Sequence, residues 1–298
     1  FMHDGKERTL NFKPSKEQVI IGELPEELSS GRLVTYLEAA LNAVRERKDV
    51  GKIYVTLPTG LAFPAQMIGF EPEAFYPKAF RSPSGYNVDA VDMAYFLDDR
   101  RRMTDEQRIQ VYDMLRGVLK TKKPKNYLEE LAAEGYKVRK GKTNDAEQIA
   151  KVWNSVFLCN DDYPDGLTST EAEESFNDEN QIWVVCEKSG DIVGVGSAYL
   201  DDGSETLGYT TRIGEVADCA VLPEHRRKGI MTEIVRTLTD MVLKKDQVPY
   251  AYCCADEEGI QRVMASLGYA VTGISNHTNH LAINTEGKVQ KPKNLMDV

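Results

Sequence analysis

One order of periodicities occurs twice along this chain, and it limits the fold more than any other feature. From Ser30 to Asp49, Leu33, Leu37, Ala40, Leu41 and Val44 recur at helical spacing, with Ser29 or Ser30 placed to cap the first turn. Lys52 to Leu57 alternates and is rich in β-formers, which predicts a strand closed by Pro58. Leu61 to Ile68 fits a short helix with Pro64 in its first turn, where a missing N–H is tolerated. Gly69-Phe70 then leads into two strands, about Ala74 to Phe80 and Val88 to Leu97. The series returns with a helix over Thr232 to Lys244, carrying Ile234, Val235, Leu238, Met241 and Val242 on one side. Tyr250 to Ala255 reads as a strand and Glu257 to Leu267 as a helix. Gly268-Tyr269 opens strands near Ala270 to Ser275 and Thr278 to Ile283. Ile53 to Gly69 is 16 positions and Tyr250 to Gly268 is 18, so spacing is kept along with order. Two similar half-domains are expected, against the alternative of two unrelated α/β segments.

Between the copies, Arg100 to Lys125 is charged and predicted helical through Ile109, Val111, Leu115 and Leu119, ending in Thr121-Lys122-Lys123-Pro124. The expected organisation is a first α/β half-domain over residues 1–100, a helical linker over 101–134, and a larger domain over 135–298. The larger domain starts with a strand at Tyr136 to Arg139, then a helix capped by Asn144 and ending at Phe157. Thr168 or Ser169 caps another helix, to about Phe176. A hairpin follows, Ile182 to Glu187 and Ile192 to Leu200 around Lys188-Ser189-Gly190-Asp191, and then a strand over Arg212 to Leu222.

Charge and cysteine usage narrow the function. A net charge of −10, from 37 basic and 47 acidic residues, disfavours nucleic acid or anionic lipid as a partner. It suits a cationic small substrate, although acidic chains are common without one. No apolar run approaches the roughly 18 residues of a membrane span, and residues 1–14 hold no apolar signal core, so a cytoplasmic location is expected. The cysteines are Cys159, Cys186, Cys219, Cys253 and Cys254. Their odd number and lack of a CxxC pair point to buried thiols, and nothing near Cys253 or Cys254 would lower a thiol pKa. His277 and His280 are too few for a zinc spacing, so no metal is expected.

The chemistry concentrates where the strand Gly214 to Leu222 ends at Pro223. Glu224 and His225 follow, and Arg226-Arg227-Lys228-Gly229-Ile230-Met231 opens the next helix. A helix N-terminus offers unpaired N–H groups and the positive end of its dipole, a pairing that binds phosphate. Gly229 lets the backbone approach an oxygen closely, and the three cations add charge.

Val221, Pro223, Arg226 and Gly229 resemble the central motif of the GNAT superfamily of acyl-CoA N-acyltransferases, Val-x-Pro-x-x-Arg-x-x-Gly-x-Gly/Ala. The resemblance implies an α/β fold with a mixed sheet: a GNAT-type domain preceded by a smaller, degenerate GNAT-like half-domain. It implies that the amides of Arg226, Arg227, Lys228, Gly229, Ile230 and Met231 hold the pyrophosphate of acetyl-CoA. Cys219, Ala220 and Val221 would pair with its pantetheine arm. Met231 departs from the motif, which has Gly or Ala there. An alkylammonium with a pKa of about 10.4 lies about 3.4 units, roughly 4.6 kcal/mol, from its reactive form at pH 7. A general base is therefore needed, and Glu215 and Asp218 are the candidates. Glu215 is 11 positions before Arg226, where histone-modifying members carry their base. The two face opposite sides of a regular strand unless a bulge intervenes. The family's tyrosine acid has Met264 in its place, leaving Tyr252, Tyr269 or water for that role.

A narrower resemblance is to the beta-lysine N6-acetyltransferases. It rests on Gly69-Phe70-Glu71 with Glu73-Ala74, and on Asp89-Ala90 before Met93-Ala94-Tyr95-Phe96-Leu97. It also rests on Glu215-Val216-Ala217-Asp218 and on Asn276-His277-Thr278-Asn279 after Gly268-Tyr269. The chain departs from that family after Tyr163-Pro164, at Asp165-Gly166-Leu167. A diamino acid needs partners at both ends: Asn276 and Asn279 for its carboxylate, Asp162 or Asp165 for its second ammonium. Strand-ending asparagines and solvated loop aspartates are the plainer reading of these four. The expected function is acetyl transfer from acetyl-CoA to a small cationic amine by direct attack. A non-catalytic CoA-binding or regulatory module and a protein-lysine acetyltransferase are the alternatives, and a homodimer is left open. The first half-domain is not expected to bind CoA. Glu26-Glu27-Leu28-Ser29-Ser30-Gly31-Arg32 stands where its phosphate loop would be, and its carboxylates repel a pyrophosphate.

Overall fold

The computed structural model describes residues 1–3, 6–13, 18–22, 24, 29–122, 124–157, 166–254, 257–276 and 296–297. The chain begins with short strands β1 (Met2–His3), β2 (Lys6–Glu7), β3 (Asn11–Lys13) and β4 (Gln18–Ile21). Helix α1 (Ser30–Val44), strand β5 (Lys52–Pro58) and helix α2 (Ala62–Met67) follow, then strands β6 (Glu71–Arg81) and β7 (Asn87–Phe96). β4 and β5 are parallel and joined through α1, while β7 runs antiparallel between β5 and β6. The helix forms because one stripe is apolar. Leu33, Tyr36, Leu37, Ala40, Leu41 and Val44 are buried on a sheet face made of Ile53, Val55, Leu57, Val91 and Met93. Helix α3 (Asp105–Val118) starts from a capping box in which Thr104 and Gln107 bond reciprocally. Helix α4 (Leu128–Ala133) comes next.

The remaining elements are β8 (Tyr136–Lys140), α5 (Ala146–Phe157), α6 (Ser169–Glu174), β9 (Gln181–Lys188), β10 (Asp191–Leu200), β11 (Glu205–Thr206), β12 (Tyr209–Thr211) and β13 (Ile213–Val221). After them come α7 (Ile230–Lys244), β14 (Val248–Tyr250), α8 (Glu258–Ser266), β15 (Ser275–Asn276) and β16 (Met296–Asp297). A five-stranded sheet has the order β14-β13-β10-β9-β8. Its faces are covered by α7, through Ile234, Val235, Leu238 and Val242, and by α5, through Ile149, Val152 and Trp153. β13 and β14 are parallel and joined through α7, the same crossover that α1 makes between β4 and β5. The repeated order in the sequence is therefore a repeated strand–helix–strand unit.

Two readings differ from the structure, and one hairpin was not foreseen. The hairpin β11–β12 belongs in sequence to the larger unit, yet it joins the first sheet, Thr210 opposite Arg81 and Thr211 opposite Phe80. The first sheet is thus seven-stranded, β11-β12-β6-β7-β5-β4-β3. The strand expected over Tyr250 to Ala255 ends at Tyr250, because the chain leaves β13 there and a strand lasts only as long as its ladder. Ala270 to Ser275 forms one bridge, Gly273 to Ala74, before the short β15–β16 pair. The strand expected over Thr278 to Ile283, and Glu26, Glu27 and Leu28 of the first half, lie outside the described residues. Among the described residues no helix is long and apolar enough to cross a membrane.

Candidate active site

The separation of β13 from β14 opens a cleft. Their pairing runs only from Ile213–Val248 to Glu215–Tyr250. From Val216 to Val221, β13 keeps β10 on one side, and its other edge borders a cavity of about 1220 Å³. Both halves of the molecule line it: Tyr54, Glu73 and Asp92 from the first sheet, and residues 215–221, the loop before α7, and Tyr252 from the second.

Glu215 and Asp218 come to the same face through a bulge. Ser197 lies opposite Ala217 and Val195 opposite Ala220, so Asp218 and Cys219 together face one residue of β10. Asp218 takes the extra turn with φ 51°. Its carboxylate accepts from Trp153 Nε1 at 3.1 Å, Ser197 Oγ at 2.6 Å and the Tyr199 hydroxyl at 2.6 Å. Three donors on one carboxylate hold it as an anchor for the bulge. Tyr199 stands opposite Glu215, whose own carboxylate accepts from the Tyr250 hydroxyl at 3.2 Å. Glu215 thus stands in the cleft wall at the point of splay.

The loop after β13 has the form of an anion cradle. Among the described residues, none of the amides of 227–231 donates to another backbone group. Gly229, at φ 87°, caps α7, and a Cβ there would lie 2.3 Å from the Tyr127 ring, so only glycine fits. The Tyr127 N–H donates to Glu233 Oε1 at 2.9 Å, which ties the linker to the first turn of α7. Arg226 Nε donates to the Val221 carbonyl at 2.9 Å and braces the loop. Arg227 is exposed and lines the cleft, whereas Lys228 pairs with Glu134 at 2.7 Å. Ile230 is buried in the second core, and Met231 packs against that core while also lining the cleft. Cys219, Ala220 and Val221 border the cleft at the free edge of β13. Burial pushes the Cys219 thiol up, away from nucleophilic use.

Asp162, Asp165 and Asn279 lie outside the described residues, and Asn276 is described only through its backbone in β15, beside the cleft-lining Ser275. Of the two tyrosines considered as acids, Tyr269 bonds Thr239 at 2.8 Å, and burial raises its pKa to about 12. Tyr252 borders the cleft.

Sequence reasoning named no residue of the first sheet for the cleft. Asp92 is almost inaccessible; its carboxylate accepts from Thr56 Oγ1 at 2.6 Å and the Tyr76 hydroxyl at 2.6 Å, and the Tyr252 hydroxyl lies 3.1 Å from it. Burial raises its pKa, and burial likewise raises those of Tyr76 and Tyr252. Next to it Lys52 Nζ donates to Glu73 Oε2 at 2.5 Å, and burial lowers the lysine's pKa. A signal for Asp92 existed: it is the one charge in the run Val91 to Leu97.

Residues 147–269 match the model of the acetyltransferase (GNAT) family. The chain is 31% identical over 141 residues to a beta-lysine N(6)-acetyltransferase of Methanosarcina mazei, covering 47% of this chain and 48% of that protein. It therefore spans about half the length of that relative. It is 24% identical over 208 residues to the N-acetyltransferase YodP of Bacillus subtilis, covering 67% of this chain and 70% of that one. A crystal structure of a predicted acetyltransferase with acetyl-CoA from Clostridium acetobutylicum is similar at 16% identity and a TM-score of 0.38, over 46% of this chain and 91% of that one. The bulged strand, the cradle and most of the cleft wall fall inside the segment that matches the acetyltransferase (GNAT) family model.

Proposed function

We propose that this chain is an acetyl-CoA-dependent N-acetyltransferase acting on the amine of a small cationic metabolite. The observation that carries this reading is Glu215 in the wall of a cleft that begins at the splay of β13 and β14 and reaches the unpaired amides of 227–231. Those amides, with Arg226 and Arg227 beside them, would hold the pyrophosphate at a helix N-terminus. The free edge of Cys219 to Val221 would hold the pantetheine arm. Acetyl-CoA bound there supplies the activated acetyl group. Glu215 accepts a proton from the attacking amine, and Asp218 positions the bulge that aims the strand.

A pocket walled by two sheets supports a metabolite acceptor over a protein lysine, which would need an open groove. Beta-lysine is the acceptor we propose first, from the 31% identity to the Methanosarcina protein. Met264 in the cleft wall, where the family carries its acid, is what favours a non-catalytic CoA-binding module; Glu215 favours an enzyme. The test is thiol release from acetyl-CoA by the purified protein across a panel of amines that includes beta-lysine, polyamines and a lysine peptide. Turnover with a small diamine and none with the peptide is expected. Binding of acetyl-CoA without thiol release from any amine would overturn the reading in favour of the binding module.

A further inference from the structure

Converting an ammonium and a thioester to an amide and a thiol removes two protons from nitrogen. One ends on sulfur and the other leaves for solvent, so two acceptors are needed, and Glu215 is one. The second is visible in three oxygen atoms shared between the halves. The Tyr252 and Tyr76 hydroxyls are 2.5 Å apart, Tyr76 is 2.6 Å from Asp92 Oδ2, and Tyr252 is 3.1 Å from the same atom. Each phenol carries one proton, so two protons must serve three contacts. A contact left without a proton sets lone pairs against each other, and the longest contact bears that best. The order is then Tyr252 to Tyr76 to Asp92. Tyr252 spends its only proton inward, and its oxygen keeps an electron pair for a donor in the cleft that it lines.

We propose that Tyr252, Tyr76 and Asp92 form a proton relay by which the first half of the chain takes the first proton from the acceptor ammonium, resting on the acetyltransferase reading above. The N–H bond of the ammonium breaks toward the Tyr252 oxygen, the Tyr252 proton moves to Tyr76, and the Tyr76 proton moves to Asp92. The amine is left neutral and Asp92 is left as the acid, which returns its proton through the same two hydroxyls to solvent in the cleft once product has left. Glu215 takes the second proton as the C–N bond forms, and that proton passes to the thiolate sulfur as the C–S bond breaks. Because burial raises the pKa of both phenols, they pass the proton in concert and neither ionises. Burial also makes Asp92 a better proton acceptor than an ordinary aspartate. The groups around Asp92 are Tyr54 and Lys52 on β5, Glu73 on β6, Tyr250 on β14 and Glu215 on β13, besides its hydrogen-bond partners. Tyr252 is the catalytic residue; Tyr76 and Asp92 act through it.

The test is the pH profile of kcat/KM for the amine, by thiol release, in the full chain and in Tyr76→Phe, Tyr252→Phe, Asp92→Asn and Glu215→Gln. At pH 7 the three relay variants are expected to lose roughly 10- to 100-fold, the lower part of the range for proton-transfer groups. By pH 9.5, where a free amine with a pKa of about 10.4 is no longer scarce, they should recover to within about threefold of the unaltered chain. Glu215→Gln should stay low throughout. Calorimetric affinity for acetyl-CoA, unchanged in each variant, reports that the fold is kept. If Asp92→Asn does not fold, Tyr76→Phe decides, because it keeps the ring that packs on Tyr250. A loss that is the same at every pH, or no loss at pH 7, overturns the relay. Absence of thiol release by the unaltered chain overturns the acetyltransferase reading instead.

Discussion

Glu215 and Asp218 are three positions apart and carry the same charge, yet their surroundings give them different work. Glu215 accepts from the Tyr250 hydroxyl at 3.2 Å in the cleft wall, while Asp218 accepts from donors on α5 and β10. Glu215→Gln is expected to lower turnover at pH 7 by roughly 10²- to 10⁴-fold, with acetyl-CoA affinity little changed, as loss of a general base would do. Steady-state thiol release and calorimetry measure the two. Unchanged turnover there, with Asp218→Asn inactive but folded, would move the base to Asp218. A second residue-scale prediction concerns Glu73→Gln. The side chains of Lys52 and Glu73 are 1% and 3% exposed, so removing one charge leaves the other buried. The expected cost is about 3–5 kcal/mol in denaturant unfolding. The spacing of Glu215 from the loop before α7 could be read from the sequence because it is counted along one strand. It could not say that Asp218 shares a face with Glu215, since the bulge depends on how β10 registers against β13.

At the scale of elements, the loop between β13 and α7 holds its shape through contacts that are mostly local. Two of its residues meet the linker about a hundred positions away instead: Gly229 lies against the Tyr127 ring and Lys228 pairs with Glu134. Gly229→Ala adds a Cβ at a left-handed position that also meets that ring. It should weaken acetyl-CoA binding by about tenfold or more, roughly 1.4 kcal/mol, and lower thermal stability as well, both read by thermal shift with and without ligand. The entrance to α5 carries a pH-sensitive contact. Asp145 accepts two bonds from Arg139, at 2.6 and 3.0 Å, which hold its pKa below the usual carboxylate value. A carboxylate with a lowered folded-state pKa contributes stability that is fully present above its unfolded value, about 3.9, and lost as pH falls through the folded one. Asp145→Asn should therefore flatten the fall in melting temperature below about pH 4, measured by calorimetry.

At the scale of the whole molecule, the first sheet is part of the site. β12 is paired to β6, Arg212 Nη1 donates to Asn87 Oδ1 at 2.5 Å, and the Tyr252 hydroxyl meets Tyr76 and Asp92. Those ties predict one cooperative unfolding transition for the chain, with calorimetric and van't Hoff enthalpies equal. Two resolved transitions would show the halves to be independent. A single acetyl-CoA per chain by calorimetry is also expected, at the cleft that borders the loop before α7. By itself the sequence determined what rests on neighbours in the chain: two rounds of a helix followed by a strand, the amphipathic stripes of α1 and α7, and the spacing of a carboxylate from the loop before α7. Only the tertiary structure decided what depends on distant segments meeting. A hairpin of the second half crossed to the first sheet, β14 left β13, and Asp92 came within reach of Tyr252. Periodicity records which face of an element is buried, and it carries no information about which partner buries it.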